Sequence, residues 1–351
     1  MAYSIPWSTL VPPAELFRWL VPMAALLLTP LASIAAPPPA DSSPPIKVVA
    51  TIGMIADVAK EIGGPRVRVS SLMGEGVDPH LYKASPGDVR MLSDADIIIY
   101  SGLHLEGRMT DILEKLSSRR RVVRATAGID EDKLHQPPEF EGQHDPHVWF
   151  DVALWAQAAG TIRDGLIATD PQGSAQFNAA AESYRKVLTE LDQYTRATLA
   201  TIPAEHRVLA TAHDAFGYFG RAYGLEVLAI QGMSTDSEAS LQDINSLVDT
   251  LVKRKIPAVF IESSVPRKTI DSLIEGCTAR GHAIVVGGQL FSDAMGKAGT
   301  LEGTYVGMVL HNVDAITKAL GGTVAEHPPD PLADYIARVT SSAPSPATGS
   351  K

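Results

Sequence analysis

One cysteine, Cys277, stands among 351 residues, so the chain can form no disulfide within itself and no thiolate cluster. A metal site built from these side chains would have to use nitrogen and oxygen. Basic residues are also in deficit: 30 Lys and Arg against 40 Asp and Glu give a formal net charge of −10. Nucleic-acid binding needs clustered Lys and Arg and is disfavoured, whereas a cationic ligand is compatible with this balance. No Gly-x-Ser-x-Gly stretch offers a serine nucleophile. The apolar run Trp19–Ile34 is marginal for a membrane span and contains Pro22 and Pro30. Arg18 before it and Ser33-Ile34-Ala35 at its end make residues 1–35 read as a secretory signal, with an uncleaved anchor as the alternative. No cysteine lies near that cleavage region, so no bacterial lipid attachment is expected, and residues 36–45 read as an exported Pro/Ser linker.

What is present is strand–helix alternation. Ile46–Ile52, Val67–Met73, Ala95–Tyr100 and Arg121–Ala125 read as strands, and the unbroken apolar Ile97-Ile98-Ile99 suits a strand covered on both faces. Ser85-Pro86-Gly87-Asp88 carries the cap, first-turn proline and third-position acid of a helix start. Leu105–Leu116 and Val152–Ala168 follow as helices, the second with Asp151 as cap. From Ser174 to Ala200, Phe177, Ala181, Tyr184, Leu188 and Leu191 recur at steps of three and four, which predicts a helix of roughly 40 Å. The second half repeats the outline: strands over Arg207–Ala212, Leu225–Ile230, Ala258–Glu262 and Ala283–Val286, and helices over Phe216–Tyr223, Glu238–Lys253, Lys268–Arg280 and Thr304–Leu320. The expected fold is α/β with two lobes, each a parallel sheet of about four strands flanked by helices, joined by one long rigid helix. The lobes span residues 46–170 and 203–335, the connecting helix 171–202, and the Ser/Pro/Ala-rich tail, 336–351, is expected to be disordered.

Asp-Pro-His occurs twice, at Asp78-Pro79-His80 and Asp145-Pro146-His147. Proline stiffens the backbone on both sides of itself, which suits an imidazole that must be aimed. In parallel sheets, ligands bind beyond the carboxyl ends of strands. His80, His147, His213 and Asp293 all fall at such places, two from each half, so a bound ion would sit in the cleft between them. Three imidazoles and a carboxylate suit zinc, manganese or iron rather than calcium or magnesium.

These stretches, with Gly76-Val77-Asp78-Pro79-His80-Leu81-Tyr82, Gly102-Leu103-His104-Leu105-Glu106, Asp145-Pro146-His147-Val148-Trp149, Thr211-Ala212-His213-Asp214-Ala215-Phe216-Gly217-Tyr218 and Phe291-Ser292-Asp293-Ala294-Met295-Gly296 in order, resemble the cluster A-I zinc/manganese solute-binding proteins of bacterial ABC importers, the TroA-like branch above all. The resemblance covers about residues 46–320. It implies a two-lobed periplasmic protein that holds one divalent ion and hands it to a membrane permease with a cytoplasmic ATPase. The family's four ligand positions fall on His80, His147, His213 and Asp293, and this raises them above the other histidines. Two features depart from many members: there is no lipid-bearing cysteine, and the stretch from Asp130 to His144 holds only His135 and His144 instead of a His-rich loop. His213, where some manganese-preferring members have Glu, leans toward zinc without deciding it.

Glu262, Asp214 and His104 are candidates for a supporting role around the ligands, since acids often orient metal-bound histidines through the far ring nitrogen. Asp214 could equally cap a helix. His144 is expected to be solvated and His311 to pack. The rival functions are a zinc-dependent hydrolase and an extracytoplasmic metal buffer or adhesin. The chain is expected to be a non-enzymatic monomer whose metal affinity falls below about pH 6, as imidazoles protonate.

Overall fold

The computed structural model describes residues 44–137, 142–325, 328 and 330–342. The signal or anchor segment, nearly all of the linker and the end of the tail lie outside the described residues. Among those described, no helix is long and apolar enough to cross a membrane.

The first half builds one parallel sheet. Strands β1 (Ile46–Ala50), β2 (Val67–Ser71), β3 (Ile97–Tyr100) and β4 (Arg121–Arg124) lie in the order β2-β1-β3-β4. Ile97, Ile98 and Ile99 are fully buried, as a doubly covered strand requires. The covering helices are α1 (Gly53–Gly63), α2 (Pro86–Asp94), α3 (Thr110–Ser117) and α4 (Val152–Thr169). The expected caps form: Ser85 and Asp88 exchange side-chain bonds with each other's backbone N–H at the start of α2, and Asp151 Oδ1 accepts from Ala153 N and Leu154 N at 3.0 and 3.1 Å. The helix expected from Leu105 opens instead at Gly107–Met109 with a 3₁₀ turn. Glu106 is withdrawn into the core, where its carboxylate accepts from Thr51 Oγ1, Ser101 N and Gly102 N at 2.6, 2.7 and 3.1 Å.

The second half departs from a single four-stranded sheet. Strands β5 (Val208–His213) and β6 (Glu226–Gln231) form one parallel pair, and β7 (Ala258–Glu262) and β8 (Val285–Leu290) another. The pairs lie side by side along β5 and β7. Where β5 would bond its neighbour, Glu262 Oε1 accepts Ala212 N and His213 N instead, at 2.8 and 2.9 Å. Strand β8 runs past the expected end at Val286 because Gly287-Gly288 marks a close approach and not a break. A Cβ on Gly287 would lie 2.7 Å from both Ala319 and the Phe260 ring. Helices α6 (Gly217–Tyr223), α7 (Leu241–Arg254), α8 (Lys268–Ala279) and α9 (Tyr305–Ala319) complete this half.

Helix α5 (Ser174–Leu199) is the expected long helix, with 26 residues and thus about 39 Å in length. Phe177, Tyr184, Leu188 and Leu191 are buried along it, and it packs on α1 and α4 from the first half and on α9 from the second. One hydrophobic cluster runs from Val48 and Trp155 through α5 to Met308 and Ile316; a second, around Val259, Leu251 and Leu273, belongs to the second half alone. Much of the apolar packing is therefore shared between the halves, which resists a wide hinge movement.

The expected disordered tail needs correction. Residues Leu332–Ser342 form a further helix, α10. Leu332, Tyr335, Ile336 and Val339 repeat at helical spacing and pack on the core. Tyr335 meets Tyr184 of α5 with ring centroids 6.3 Å apart, and Arg338 pairs with Glu61 of α1 at 2.8 Å. The Ser- and Pro-rich composition beyond it masks this pattern in the sequence. Leu332→Ala should cost about 2–4 kcal/mol, as for other fully buried leucines, read as a lowered denaturation midpoint with unchanged metal stoichiometry. A shift within error would mean that α10 only rests on the surface.

Candidate metal centre

The four side chains singled out in the sequence meet. His80 lies in the loop after β2, His147 just before a 3₁₀ turn leading into α4, His213 is the last residue of β5, and Asp293 stands three residues past β8. One donor atom from each falls within 4.8 Å of all the others. His80 Nε2 is 3.3 Å from His147 Nε2 and 3.8 Å from Asp293 Oδ2. His147 Nε2 is 3.4 Å from Asp293 Oδ1, and His213 Nε2 is 3.3 Å from Asp293 Oδ2. Donors at the corners of a tetrahedron around zinc, with bonds of 2.0–2.1 Å, stand about 3.3–3.4 Å apart. The separations of 3.3–3.8 Å among these donors are close to that spacing.

Both Asp-Pro-His tripeptides make the same turn. His80 N donates to Asp78 Oδ1 at 2.8 Å, and His147 N donates to Asp145 Oδ1 at 2.9 Å. The aspartate, whose side chain folds the turn back on its own backbone, thus contributes as much as the proline. Asp145 Oδ1 is also 2.7 Å from His147 Nδ1, and its Oδ2 is 3.3 Å from His135 Nδ1. On the other side, Glu262 Oε2 stands 2.6 Å from His213 Nδ1, an ion-pair contact without the alignment of a straight hydrogen bond. Two imidazoles are therefore backed by buried carboxylates on their far nitrogens, which fixes ring orientation and raises basicity. Trp149 Nε1 donates to Ser292 O at 3.1 Å and Tyr305 OH to Trp149 O at 2.7 Å, so the His147 and Asp293 loops are tied together.

Burial and charge then act in opposite senses. His147, His213 and Asp293 are between 0 and 2% exposed. Burial disfavours charge on all three, yet it is overridden. Asp145 and Asp293 lift the His147 imidazole to about 9, and Glu262 and Asp293 lift His213 well above its ordinary value. His213 and His147 in turn hold the Asp293 carboxyl well below the carboxylate range. His80 lacks such support: burial lowers it to about 4, with Asp293 opposing only in part. Neither Asp293 oxygen has an aligned hydrogen bond; without metal its burial is offset by the His147 and His213 imidazoles at 3.4 and 3.3 Å, a role that a bound cation would take over. The donor set suits zinc, manganese or iron.

Of the supporting residues expected from sequence, Glu262 takes the position described. His104 does not join the group: it is exposed, at φ 65°, on the wall of a separate cavity of about 640 Å³ with Tyr100, Arg124 and His144. Asp214 is not a helix cap, because α6 begins at Gly217 without a side-chain cap. His311 packs on Phe291 and reaches Gln289 O at 2.9 Å, and His144 lies 3.7 Å from Glu131. Asp78, Asp145 and His135 were missed as supports, although the repeated aspartate of Asp-Pro-His was the signal for two of them.

Comparison with known proteins adds a second line of support. The family described as zinc-uptake complex component A, periplasmic (ZnuA) matches residues 48–319. The zinc-binding protein TroA of Treponema pallidum is 50% identical over 273 residues, 78% of this chain and 88% of that protein. The manganese-binding lipoprotein MntA of Bacillus subtilis is 49% identical over 276 residues, 78% of this chain and 90% of that one. The solved structure of periplasmic TroA from Treponema pallidum superposes with a TM-score of 0.77 at 49% identity, covering 79% of this chain and 99% of its own. That of Fe(III)-bound YtgA from Chlamydia trachomatis does so at 0.73 and 28%, covering 80% and 100%. With the family match running through most of the chain and relatives near half identical, the chain belongs to the ZnuA family of periplasmic zinc-uptake components.

Proposed function

We propose that the protein is the solute-binding component of an ABC importer. It captures one divalent ion, zinc or manganese with iron as a further candidate, on His80, His147, His213 and Asp293, and delivers it to a membrane permease. The observation that carries this reading is the buried Asp293 carboxylate, without a hydrogen bond and ringed by three imidazole Nε2 atoms. The ion is cargo, so the site has to bind tightly and still let go. Three imidazoles favour zinc over manganese; among the relatives, TroA is named for zinc and MntA for manganese.

The two halves, 46–170 and 203–335, serve as metal-binding lobes on either side of α5. Export by residues 1–35, or tethering by 19–34, places the monomer outside the inner membrane. MntA is named a lipoprotein, but the only cysteine here, Cys277, is buried in α8, so we expect no lipid. A hydrolase reading is disfavoured by the number of protein donors, four, since catalytic zinc usually has three and keeps one position open.

Metal titration tests the proposal: one ion per chain, with Glu262→Gln weakening it about 10–100-fold by releasing the His213 ring, and Asp214→Asn changing it little. Metal-dependent hydrolysis of esters or peptides that disappears in His213→Ala would overturn the transport reading. Stimulation of the permease's ATPase by metal-loaded protein is its positive counterpart.

A further inference from the structure

The four enclosing side chains are not held equally. The His147 turn is pinned from several sides by buried groups: Tyr218 OH donates to Asp145 O at 3.0 Å, and the Trp149 and Tyr305 bonds lock the residues that follow. His213 ends a strand, with Glu262 on its ring and on its backbone N–H. Asp293 follows Ser292, whose carbonyl receives Trp149 and whose hydroxyl lies 3.0 Å from Ser264 Oγ. His80 differs. At 5% it is the most exposed of the four, and Leu81 beside it is 42% exposed, so this ligand lies nearest to solvent.

Its turn is fastened differently as well. Asp78 Oδ1 accepts His80 N at 2.8 Å, while Asp78 Oδ2 accepts Thr235 Oγ1 at 2.6 Å. Thr235 belongs to the connection between β6 and α7 in the opposite half. One carboxylate therefore joins the His80 backbone to a strap from across the cleft. The strap is shaped by its own bonds, Gln231 Nε2 donating to Ser237 O at 2.9 Å and Asp236 N donating to Ser234 Oγ at 3.3 Å. Another link across the cleft is the pair Arg108–Asp236, with both partners more than a third exposed; such pairs contribute little. Tyr82 OH donates to Asp88 Oδ2 at 2.9 Å, but this ties the loop only to its own half.

We propose that His80 is the ligand that leaves first when metal is released, and that Thr235, through Asp78, is a positioning residue that sets how long the ion stays. This rests on the four-ligand reading above. Metal exchange proceeds at the His80 side: the Thr235–Asp78 bond breaks, the Asp78-Pro79-His80 turn relaxes outward, and the ion remains for a time on His147, His213 and Asp293. Contact by the permease with this strap would then promote release without unpacking either lobe.

The experiment follows zinc(II) leaving the full-length protein into excess chromogenic chelator by stopped flow. Thr235→Val keeps the side-chain shape and removes the hydroxyl. It should speed release about tenfold or more, as expected for loss of a hydrogen bond to a charged group, with association within about twofold. Thr235→Ser, which restores the hydroxyl, should release at the parent rate. In cobalt(II)-loaded protein the visible band should weaken in Thr235→Val, as His80 gives way to water and tetrahedral geometry is lost; a merely structural role would leave it unchanged. His135→Ala, at the other Asp-Pro-His unit, should release more slowly than Thr235→Val. Unchanged release in Thr235→Val, equal acceleration in Thr235→Ser, or faster release in His135→Ala would each overturn the inference. If the parent protein failed to bind zinc one to one, the four-ligand reading would fall with it; normal binding with an indifferent Thr235→Val refutes this inference alone.

Discussion

Asp293→Asn should weaken divalent-metal binding by about two to three and a half orders of magnitude. Among the described residues, Asp293 is the anion whose oxygens approach all three imidazole Nε2 atoms, at 3.3, 3.4 and 3.8 Å. Asparagine keeps the shape and one ligating oxygen but leaves a dication in a buried site with neutral donors only. Removing one partner of a buried ionic contact costs about 3–5 kcal/mol, and each 1.4 kcal/mol is about tenfold in affinity. The metal-free variant should also lose some stability near neutral pH, because His147 and His213 lose the anion that favours their charged form. Competition titration against a chelator of known affinity measures the first effect and a thermal melt the second. A loss of less than tenfold would remove Asp293 from the direct ligands.

The second large effect concerns pH, and here the structure alters the expectation drawn from composition. Ordinary imidazoles would give a threshold near pH 6, with three histidines protonating together. In the folded, metal-free protein His147 is held at about 9 and His213 well above its ordinary value, whereas His80 is down at about 4. Both raised imidazoles are thus biased toward the protonated form in the metal-free site, whereas His80 is biased toward the neutral one. A dication that displaces two protons leaves the buried charge unchanged, which makes the exchange electrostatically cheap. Affinity should then rise with pH until His147 gives up its proton at about 9. Stability moves in opposite senses in the two states. The raised His147 value stabilises the metal-free fold fully below its unfolded value of about 6.5, and this contribution is lost as pH rises through about 9. The stabilisation by metal grows with affinity over the same range, so the gap between metal-bound and metal-free melting temperatures should widen from pH 5 to pH 8.5. Calorimetry in two buffers of different ionisation enthalpy should show net release of protons on metal binding at pH 7. Release of none, or a melting gap that narrows with rising pH, would contradict this picture.

Much of the architecture was legible in the sequence because local signals agreed with the fold. Ile97-Ile98-Ile99 had no alternation and is buried on both faces; the Ser85 and Asp151 starts cap their helices; the pattern from Phe177 to Leu191 became α5 almost residue for residue. Failures came where a residue served a distant partner. Gly287-Gly288 reads as a stop until Phe260 and Ala319 are seen closing on it. The α10 pattern is short and runs into a Ser- and Pro-rich tail, so composition obscured four well-spaced apolar residues.

The site divides in the same way. His80, His147, His213 and Asp293 lay in or just after strand-following segments, and it was the resemblance of their motifs to a known family that set them above the other histidines. Glu262 could be suspected because it ends a neighbouring strand. Asp78 and Asp145 act two positions away, where the repeated Asp-Pro-His was their signal, whereas the Thr235 bond to Asp78 spans 157 positions, which spacing cannot reveal. His104 shows the converse. Its motif has a structural reason in the buried Glu106, which draws together the ends of β1 and β3 and leaves His104 on the surface.

Anomalous diffraction at the zinc edge from crystals of zinc-loaded protein tests the central claim most directly. One strong peak per chain is predicted, about 2.0–2.2 Å from the Nε2 atoms of His80, His147 and His213 and from a carboxylate oxygen of Asp293. A principal peak elsewhere, beside His104 and His144 or at Cys277, or one that touches fewer than three of the four, would contradict it.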